Sequence, residues 1–443
     1  MSLLAENRRT LSLAAPIIAG LLGQMLMGVA DTIMVGHVGV VPLAACAFAN
    51  TVLVVPMVFG FGLLSSVSVE ASHAHGEGRP EVAGEFLRGG ILLAVLLAGF
   101  LALGAHASLP HLPLLRQPSE VNSIVGPYFL LCAWSFLPVF VTGAAKNFSE
   151  ALEHPWPPFW IMLAGVGLNI LLNWIFIYGN LGMPALGLDG AGLATLLSRL
   201  ATLFGIVLFS SRSRRLHSAW PRQWFAPGLL SRARRLADVG IHSGGLSLCE
   251  VGGFSLGSIM MGWLGVIPLA AHQIAFTCAG TTFMVPLGLS QAVSVRVGRA
   301  RGSGTREQIP DIVHGALALG IGIMSIFATC YFLMGTTIAA AFVDDPAVQA
   351  LTVQLLLLAG VFQIFDGIQI VSSGALRGFA DTRVPLLIGV LAYWGVALPV
   401  SWTAAFAFEM GACGVWTGFV VGLGTAAGAM FLRLRHRVSE CLT

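Results

Sequence analysis

The sequence predicts an all-α polytopic membrane protein with twelve transmembrane helices, arranged as two lobes of six. The first supporting observation is composition: 56% of the 443 residues are hydrophobic and only 10% are charged, with a mean hydropathy of +0.85. A soluble domain carries about 25% charged residues. The other two observations are long apolar runs along the whole chain and an internal repeat that relates its two halves.

The apolar runs are long enough to cross a lipid bilayer, which takes about 20 mostly apolar residues in a helix. The first run is too long for the core of a secretory signal peptide and has no convincing cleavage site, so we expect it to be retained. The twelve predicted spans are 11–35, 45–69, 86–109, 124–145, 158–178, 187–210, 237–262, 270–295, 311–335, 347–374, 384–408 and 412–432.

The basic residues indicate which side of the membrane each loop occupies. If both termini are cytoplasmic, 21 of the 23 Lys and Arg residues fall on the cytoplasmic side of the twelve-helix arrangement. This distribution follows the positive-inside rule. We therefore expect a multi-pass protein of a bacterial-type inner membrane, with both termini in the cytoplasm.

The two halves of the chain are repeats of one another. Residues 34–78 align without a gap with 260–304, and 18 of the 45 positions are identical. Both copies begin on the cytoplasmic side, so the repeats are parallel and related by an axis along the membrane normal, which suits alternating access. The predicted division is an N-terminal lobe at 1–210, a basic cytoplasmic linker at 211–236 and a C-terminal lobe at 237–443.

The linker combines arginines with Trp220 and Trp224. Basic and aromatic side chains together are typical of helices that lie in the membrane interface. We therefore expect the linker to form an interfacial helix.

Three acidic residues, Asp31, Glu250 and Asp366, fall inside predicted helices. A charge at the centre of a spanning helix costs about 2.5–3.5 kcal/mol on insertion scales. Ion pairs within the membrane would offset this cost, but Arg199 is the only base that the prediction places there, and it cannot serve three acids. We therefore expect these carboxylates to be functional, with Asp31 nearer the outer end of its helix.

Polar side chains follow the same helix faces as the acids, at spacings of three, four or seven residues. Any one of them could simply form a hydrogen bond between helices, but polar stripes on several helices indicate a hydrated cavity. The members are Gln363 and Gln369 around Asp366, Gln24 near Asp31, Asn169 and Asn173 in the fifth helix, and Gln273 and Thr277 in the eighth.

Four stretches carry a family resemblance: APIIAGLLGQMLMGVADTIMVGHVG in the first helix, LNILLNWIFIYG in the fifth, LGLDGAGLAT at the sixth and GALRGFADTRVP after the tenth. With them the chain resembles the multidrug and toxic compound extrusion (MATE) transporters, over essentially its whole length. The acidic trio resembles that of the sodium-coupled, norfloxacin-exporting branch. The proton-coupled branch with a second aspartate in the fifth helix fits less well, because asparagines stand there.

The resemblance implies an antiporter that expels amphipathic, often cationic compounds as sodium ions or protons enter. It also implies a cation site formed by Glu250 and Asp366 in the C-terminal lobe. Asp31, Asn169 and Asn173 would then line a cavity in the N-terminal lobe.

The identity of the coupling ion stays open between sodium and a proton. Sodium is a hard cation that prefers oxygen ligands, which Glu250 and Asp366 offer together with Gln363 and Gln369. A proton would also satisfy a carboxylate that has no fixed partner. The ligand argument favours sodium, and we expect no other cofactor.

Three alternative functions differ in the features that they require. A lipid-linked precursor flippase of the same superfamily would handle an anionic lipid, which an acidic cavity does not suit. An intramembrane enzyme would need a motif such as H-E-x-x-H, G-x-S-x-G in a strand-to-helix turn, or paired aspartates in adjacent helices. The sequence has no H-E-x-x-H and no such aspartate pair, and its GFSLG match at 253–257 lies inside a predicted spanning helix, where it cannot form that turn. A channel is disfavoured by the lobed repeat. We expect a monomeric transporter of neutral-to-cationic small molecules, with no enzymatic activity and no nucleic-acid partner.

Overall fold

The computed structural model describes residues 3–115, 117–221, 223–224 and 226–442, and within these ranges the chain is helical, with no β-strand. Twelve long helices account for most of this described part. They are α1 (Leu3–Gly36), α2 (Val40–Gly76), α3 (Pro80–Ser108), α4 (Ser119–Ala151), α5 (Trp156–Tyr178), α6 (Gly187–Arg212), α7 (Leu229–Leu264), α8 (Val266–Gly302), α9 (Ile309–Phe342), α10 (Pro346–Gly378), α11 (Arg383–Ala407) and α12 (Gly411–Leu442).

Eleven of these helices are long and apolar enough to cross a membrane. The remaining helix is α7, whose 36 residues include Glu250 and many Ser and Gly residues that lower its hydropathy. With α7, the predicted set of twelve helices is confirmed.

Most helices are longer than their predicted spans. Helix α2 covers Val40–Gly76, where 45–69 was predicted, and α8 covers Val266–Gly302, where 270–295 was predicted. The extra C-terminal turns, 70–76 and 296–302, are largely polar, so a prediction based on hydropathy stops where the apolar region ends although the helix continues.

Two of the helices are irregular. Helix α4 consists of two α-helical pieces, Ser119–Trp134 and Phe136–Ala151, which meet at Ser135. Helix α11 contains two π-helical stretches, at 390–397 and 403–407. Pro399 lies between them and has no amide hydrogen to donate to the preceding turn.

The linker between α6 and α7 is not the interfacial helix that we predicted. Its described residues between 213 and 228 form turns, and they pack against α3. Leu216 and Ala219 are buried, and the guanidinium of Arg88 on α3 donates a hydrogen bond to the carbonyl of Gln223. This packing against α3, together with short-range turns, takes the place of helix formation.

The helices form two compact units, each with its own apolar core. Unit 1 comprises Met1–Ile18 with Gly245–Thr443, and unit 2 comprises Ala19–Gly244. Each boundary falls inside a helix, one in α1 and one in α7, and the repeat makes the two boundaries equivalent positions. The predicted division into 1–210, 211–236 and 237–443 stays a prediction about the order of parts along the chain.

The repeat is visible in the helix bounds and in the turns. Helices α7 and α8 begin at the positions that the repeat makes equivalent to the first residues of α1 and α2. The glycines that precede α2 and α8, Gly39 and Gly265, both have positive φ angles, of 153° and 120°. The same repeat unit therefore folds in the same way in both halves.

Equivalent helix crossings occur in the two units. In unit 2, a Cβ added to Gly62 of α2 would lie 2.5 Å from the Cα of Gly244 in α7. In unit 1, a Cβ added to Gly288 of α8 would lie 2.5 Å from Cγ1 and 3.2 Å from the Cα of Ile18 in α1. Gly62 and Gly288 are equivalent positions of the repeat, and both allow a close approach of two backbones that a larger side chain would prevent.

One ion pair also joins the two helices of each of these crossings. In unit 1, Arg296 of α8 pairs with Glu6 of α1. In unit 2, Glu70 of α2 pairs with Arg235 of α7 at 2.8 Å. Both pairs therefore join the beginning of one repeat to the second helix of the other repeat.

Candidate functional site

Glu250 of α7 is held by two hydrogen-bond donors. Its Oε1 atom accepts one bond from Nε2 of Gln369 on α10, at 2.7 Å, and one from the hydroxyl of Tyr393 on α11, at 3.3 Å. Among the described residues, nothing donates a hydrogen bond to Oε2. The structure thus brings together the predicted residues Glu250 and Gln369, and it leaves one carboxylate oxygen open to a mobile partner.

The backbone of α11 places Tyr393 beside Glu250. Tyr393 and Trp394 belong to the first π-helical stretch, a geometry that is rare and occurs frequently at functional sites. The indole N–H of Trp394 donates to the backbone carbonyl of Cys249 at 3.3 Å. A Cβ added to Gly252 would lie 3.0 Å from the Trp394 ring. Helices α7 and α11 therefore contact each other closely next to Glu250.

Asp366 of α10 is 5% exposed, and its carboxylate has no hydrogen-bond or ion-pair partner in the part of the chain that the structure describes. It lies one helical turn before Gln369, the residue of α10 that donates to Glu250. Arg377, three turns further along α10, acts on Glu250 at longer range and pairs with neither acid. Half-buried Glu250 and buried Asp366 are thus an acidic pair in unit 1 that has no ion-pair partner among the described residues.

Gln363 lies on the other side of Asp366 from Gln369. Its Nε2 atom donates to the hydroxyl of Thr282 on α8 and, at 3.4 Å, to that of Tyr331 on α9. Its buried Oε1 atom has no partner among the described residues. Six residues of an α-helix turn by about 240°, so Gln363 and Gln369 face different neighbours although both flank Asp366.

Unit 2 contains a second polar cluster, around Asp31 of α1. Oδ1 of Asp31 accepts a hydrogen bond from Nδ2 of Asn173 on α5 at 2.5 Å, and the same nitrogen lies 3.2 Å from Oδ1 of Asn169. Nδ2 of Asn169 in turn lies 3.5 Å from the hydroxyl of Ser198 on α6. Arg199 donates to Ser135 at 2.5 Å and forms no ion pair with Asp31. Three of the predicted residues are therefore in one network.

The remaining predicted residues lie apart from both clusters. Gln24 is exposed and lines a shallow groove between α1 and α5, beside Gly20, Gly23 and Phe159. Thr277 donates to the backbone carbonyl of Gln273 on its own helix at 2.8 Å, and the Gln273 side chain is exposed. Neither Gln24 nor this pair contacts one of the three acids.

Sequence reasoning missed three hydroxyl groups of these clusters, those of Tyr393, Thr282 and Tyr331. Thr282 lies five residues after Thr277, so it is one turn along the eighth helix but on a different face. Both tyrosines lie in apolar runs, and no polar stripe of the kind that revealed the other residues surrounds them. Only the packing of the helices reveals their contacts.

These features together define a class of protein. Twelve helices built from two repeats, with unpaired carboxylates inside the helical bundle, are typical of a secondary transporter that works by alternating access. The chain belongs to the multidrug and toxic compound extrusion family: the family profile described as MatE matches it twice, over residues 16–175 and 245–403. The double match agrees with the internal repeat.

Curated relatives match the chain almost from end to end. A probable multidrug resistance protein NorM of Mesorhizobium japonicum is 34% identical over 446 residues, which cover 98% of this chain and 94% of the relative. A protein of the same description from Rhodopseudomonas palustris is 35% identical over 441 residues, 98% of this chain and 92% of the relative. The resemblance to the norfloxacin-exporting branch is therefore confirmed.

Solved structures share the fold. An outward-facing multidrug resistance MATE transporter superposes with a TM-score of 0.90 at 20% identity and covers 99% of this chain and 97% of its own. The eukaryotic MATE transporter AtDTX14 superposes with a TM-score of 0.89 at 20% identity, over 99% and 98%. The chain is a multi-pass membrane transporter of the multidrug efflux type.

Proposed function

We propose that this chain is an antiporter that exports amphipathic, neutral-to-cationic compounds in exchange for sodium ions, with Glu250 and Asp366 as the site of the ion. Inward movement of one cation provides about 2.3 kcal/mol per 100 mV of membrane potential. Such a gradient can drive the export of a drug when both steps use the same alternating-access cycle.

The observation that carries this proposal is the acidic pair of unit 1. Asp366 is buried without a partner among the described residues. Glu250 is bonded through Oε1 to Gln369, one turn from Asp366, and its Oε2 atom has no donor among the described residues. Buried charges are normally paired or bound to a cation, because an isolated buried charge is costly. A mobile cation satisfies this rule in one state of the cycle and leaves in the other.

Sodium fits the groups around the pair better than a proton does. Carboxylate oxygens and the unpartnered Oε1 of Gln363, within one turn of Asp366, are the hard oxygen ligands that such a cation prefers. Proton coupling would need a single carboxyl group and no neutral oxygens, and it is the second candidate.

Asp31, Asn169 and Asn173 are proposed to receive the drug. Their network is acidic and rich in amide groups, and only Arg199 acts on it as a base among the described residues. A site of this kind favours cationic and hydrogen-bonding compounds over anionic ones. Bacterial relatives described as probable multidrug resistance proteins support a broad choice of substrates.

We propose an inner-membrane location for the transporter. The basic residues favour an inner membrane with both termini in the cytoplasm. We expect the single chain to be sufficient for transport and to have no enzymatic activity.

Efflux from proteoliposomes tests the proposal. Liposomes loaded with the cationic dye ethidium receive an inward sodium gradient, or none, at a fixed pH, and the release of dye is followed. We expect faster release with the sodium gradient. Release that ignores sodium but follows an imposed pH gradient would replace sodium by the proton, and release confined to anionic dyes would contradict the assignment of substrate class.

A further inference from the structure

The two donors to Glu250 act on the same oxygen atom. Gln369 and Tyr393 reach Oε1 from different helices, α10 and α11, at 2.7 and 3.3 Å. A carboxylate with one oxygen fixed by two donors cannot rotate freely about its terminal bonds. The position of its other oxygen, Oε2, is therefore fixed as well.

Tyr393 is itself held firmly. Its side chain is 3% exposed, and its ring packs edge-on against Phe254, with 5.8 Å between the ring centroids. The adjacent Trp394 anchors the same π-helical stretch to the backbone of Cys249. The hydroxyl of Tyr393 is thus placed by the fold of α11, and it does not need Glu250 to order it.

We infer that Tyr393 is a positioning residue for the coupling ion: it holds Oε1 of Glu250 so that Oε2 is presented to the ion next to Asp366. This role rests on the proposed function of the acidic pair. It also gives a role to the first π-helical stretch of α11, because Tyr393 belongs to that stretch. The two donors differ in the helix that they join to Glu250. Gln369 lies on α10 together with Asp366, whereas Tyr393 connects Glu250 to α11.

Removal of the Tyr393 hydroxyl tests the inference. Tyr393→Phe keeps the ring that packs on Phe254, so the fold is expected to survive, which gel filtration and thermal unfolding check. Dicyclohexylcarbodiimide modifies carboxyl groups in apolar surroundings, and peptide mass spectrometry then measures the labelled fraction of Glu250. Protection is titrated with sodium chloride, with N-methylglucamine chloride keeping the ionic strength constant. Ethidium efflux is measured in parallel.

We expect Tyr393→Phe to raise the sodium concentration for half-protection of Glu250 about tenfold, the size expected for one hydrogen bond to a charged group. The KM for ethidium should stay within about twofold, because the drug is proposed to bind in unit 2. The control is Tyr128→Phe, which removes another buried tyrosine hydroxyl, one that contacts Cys46 in unit 2. The control should match the parent in both measurements.

Two results would go against these assignments in different ways. Equal half-protection in Tyr393→Phe and in the parent would overturn the positioning role while leaving sodium coupling intact. If sodium gives no protection even in the parent, sodium coupling is wrong, and labelling is then titrated with protons instead. Identical pH profiles for Tyr393→Phe and the parent would in that case overturn the positioning role too.

Discussion

Arg296 and Glu6 form a buried ion pair in unit 1, with side chains that are 10% and 2% exposed. The residue equivalent to Arg296 in the other repeat is Glu70, which carries the opposite charge and pairs with Arg235. An ion pair thus stabilises the equivalent helix crossing in each unit, α1 with α8 and α7 with α2. The second helix of the repeat carries the arginine in unit 1 and the glutamate in unit 2. In unit 2 the arginine is 53% exposed, so water screens that pair more strongly.

Reversal of one charge in the buried pair is expected to destabilise the protein. Arg296→Glu places two carboxylates together in a site with little access to water, which should cost about 3–5 kcal/mol. The double variant Glu6→Arg with Arg296→Glu restores an ion pair and should recover most of this loss. Thermal unfolding in detergent measures both, and a double variant no more stable than the single one would show that the pair contributes little.

Loss of either carboxylate in unit 1 is expected to abolish coupled export. Glu250→Gln and Asp366→Asn keep size and hydrogen bonding but remove the charge that attracts the cation, so sodium-driven ethidium efflux should fall at least tenfold. Glu307→Gln, which changes an exposed carboxylate, is the matched control. Full sodium-driven efflux by either site variant, in protein that inserts normally, would refute the cation site.

Changes in the cluster of unit 2 are expected to affect the drug and not the ion. Asn173→Ala removes the donor of the 2.5 Å hydrogen bond between α1 and α5, and Asp31→Asn keeps an acceptor oxygen but removes the negative charge. The KM for ethidium should rise about tenfold, while the protection of Glu250 by sodium stays unchanged. A loss of that protection in Asp31→Asn would instead assign the ion to this cluster.

The close crossing in unit 2 should not accept a methyl group. Gly62→Ala would put a Cβ 2.5 Å from the Cα of Gly244, and overpacking of this kind costs about 1–3 kcal/mol. A Cβ at Gly428 of α12 would meet nothing within 4 Å, so Gly428→Ala should be neutral, or stabilising by up to about 1 kcal/mol from helix propensity. Equal unfolding temperatures for the two variants would argue against a tight crossing.

The helices could be predicted from the sequence because the bilayer imposes a length and a hydropathy that a chain must show locally. Helix α7 was predicted as a mostly apolar run in spite of Glu250, and the alternation of basic loops supports that count of helices. The polar C-terminal turns of α2 and α8 were missed because a helix outside the bilayer does not need to be apolar, so hydropathy does not reveal it.

Only those residues of the candidate site that are polar among apolar neighbours could be predicted from the sequence. Glu250, Asp366 and Gln369 stand out in this way, and helical spacing correctly placed the last two together on α10. The partner of Glu250 on α11 was not predictable, because Tyr393 faces it through a local π-helical geometry that no sequence period describes. The separation of Gln363 from Gln369 does follow from their spacing of six residues, but the helices that each side chain meets were not predictable.

The reversed ion pairs also bear on the origin of the chain from two similar halves. Arg232 is the repeat equivalent of Glu6, so two copies of the second half would bring Arg296 against Arg232. In two copies of the first half, Glu6 would take the place of Arg232 and would face Glu85. Like charges set against each other across an interface cost several kcal/mol. Made as separate polypeptides, a first half and a second half would therefore pair with each other in preference to two second halves, whose arginines repel at this crossing.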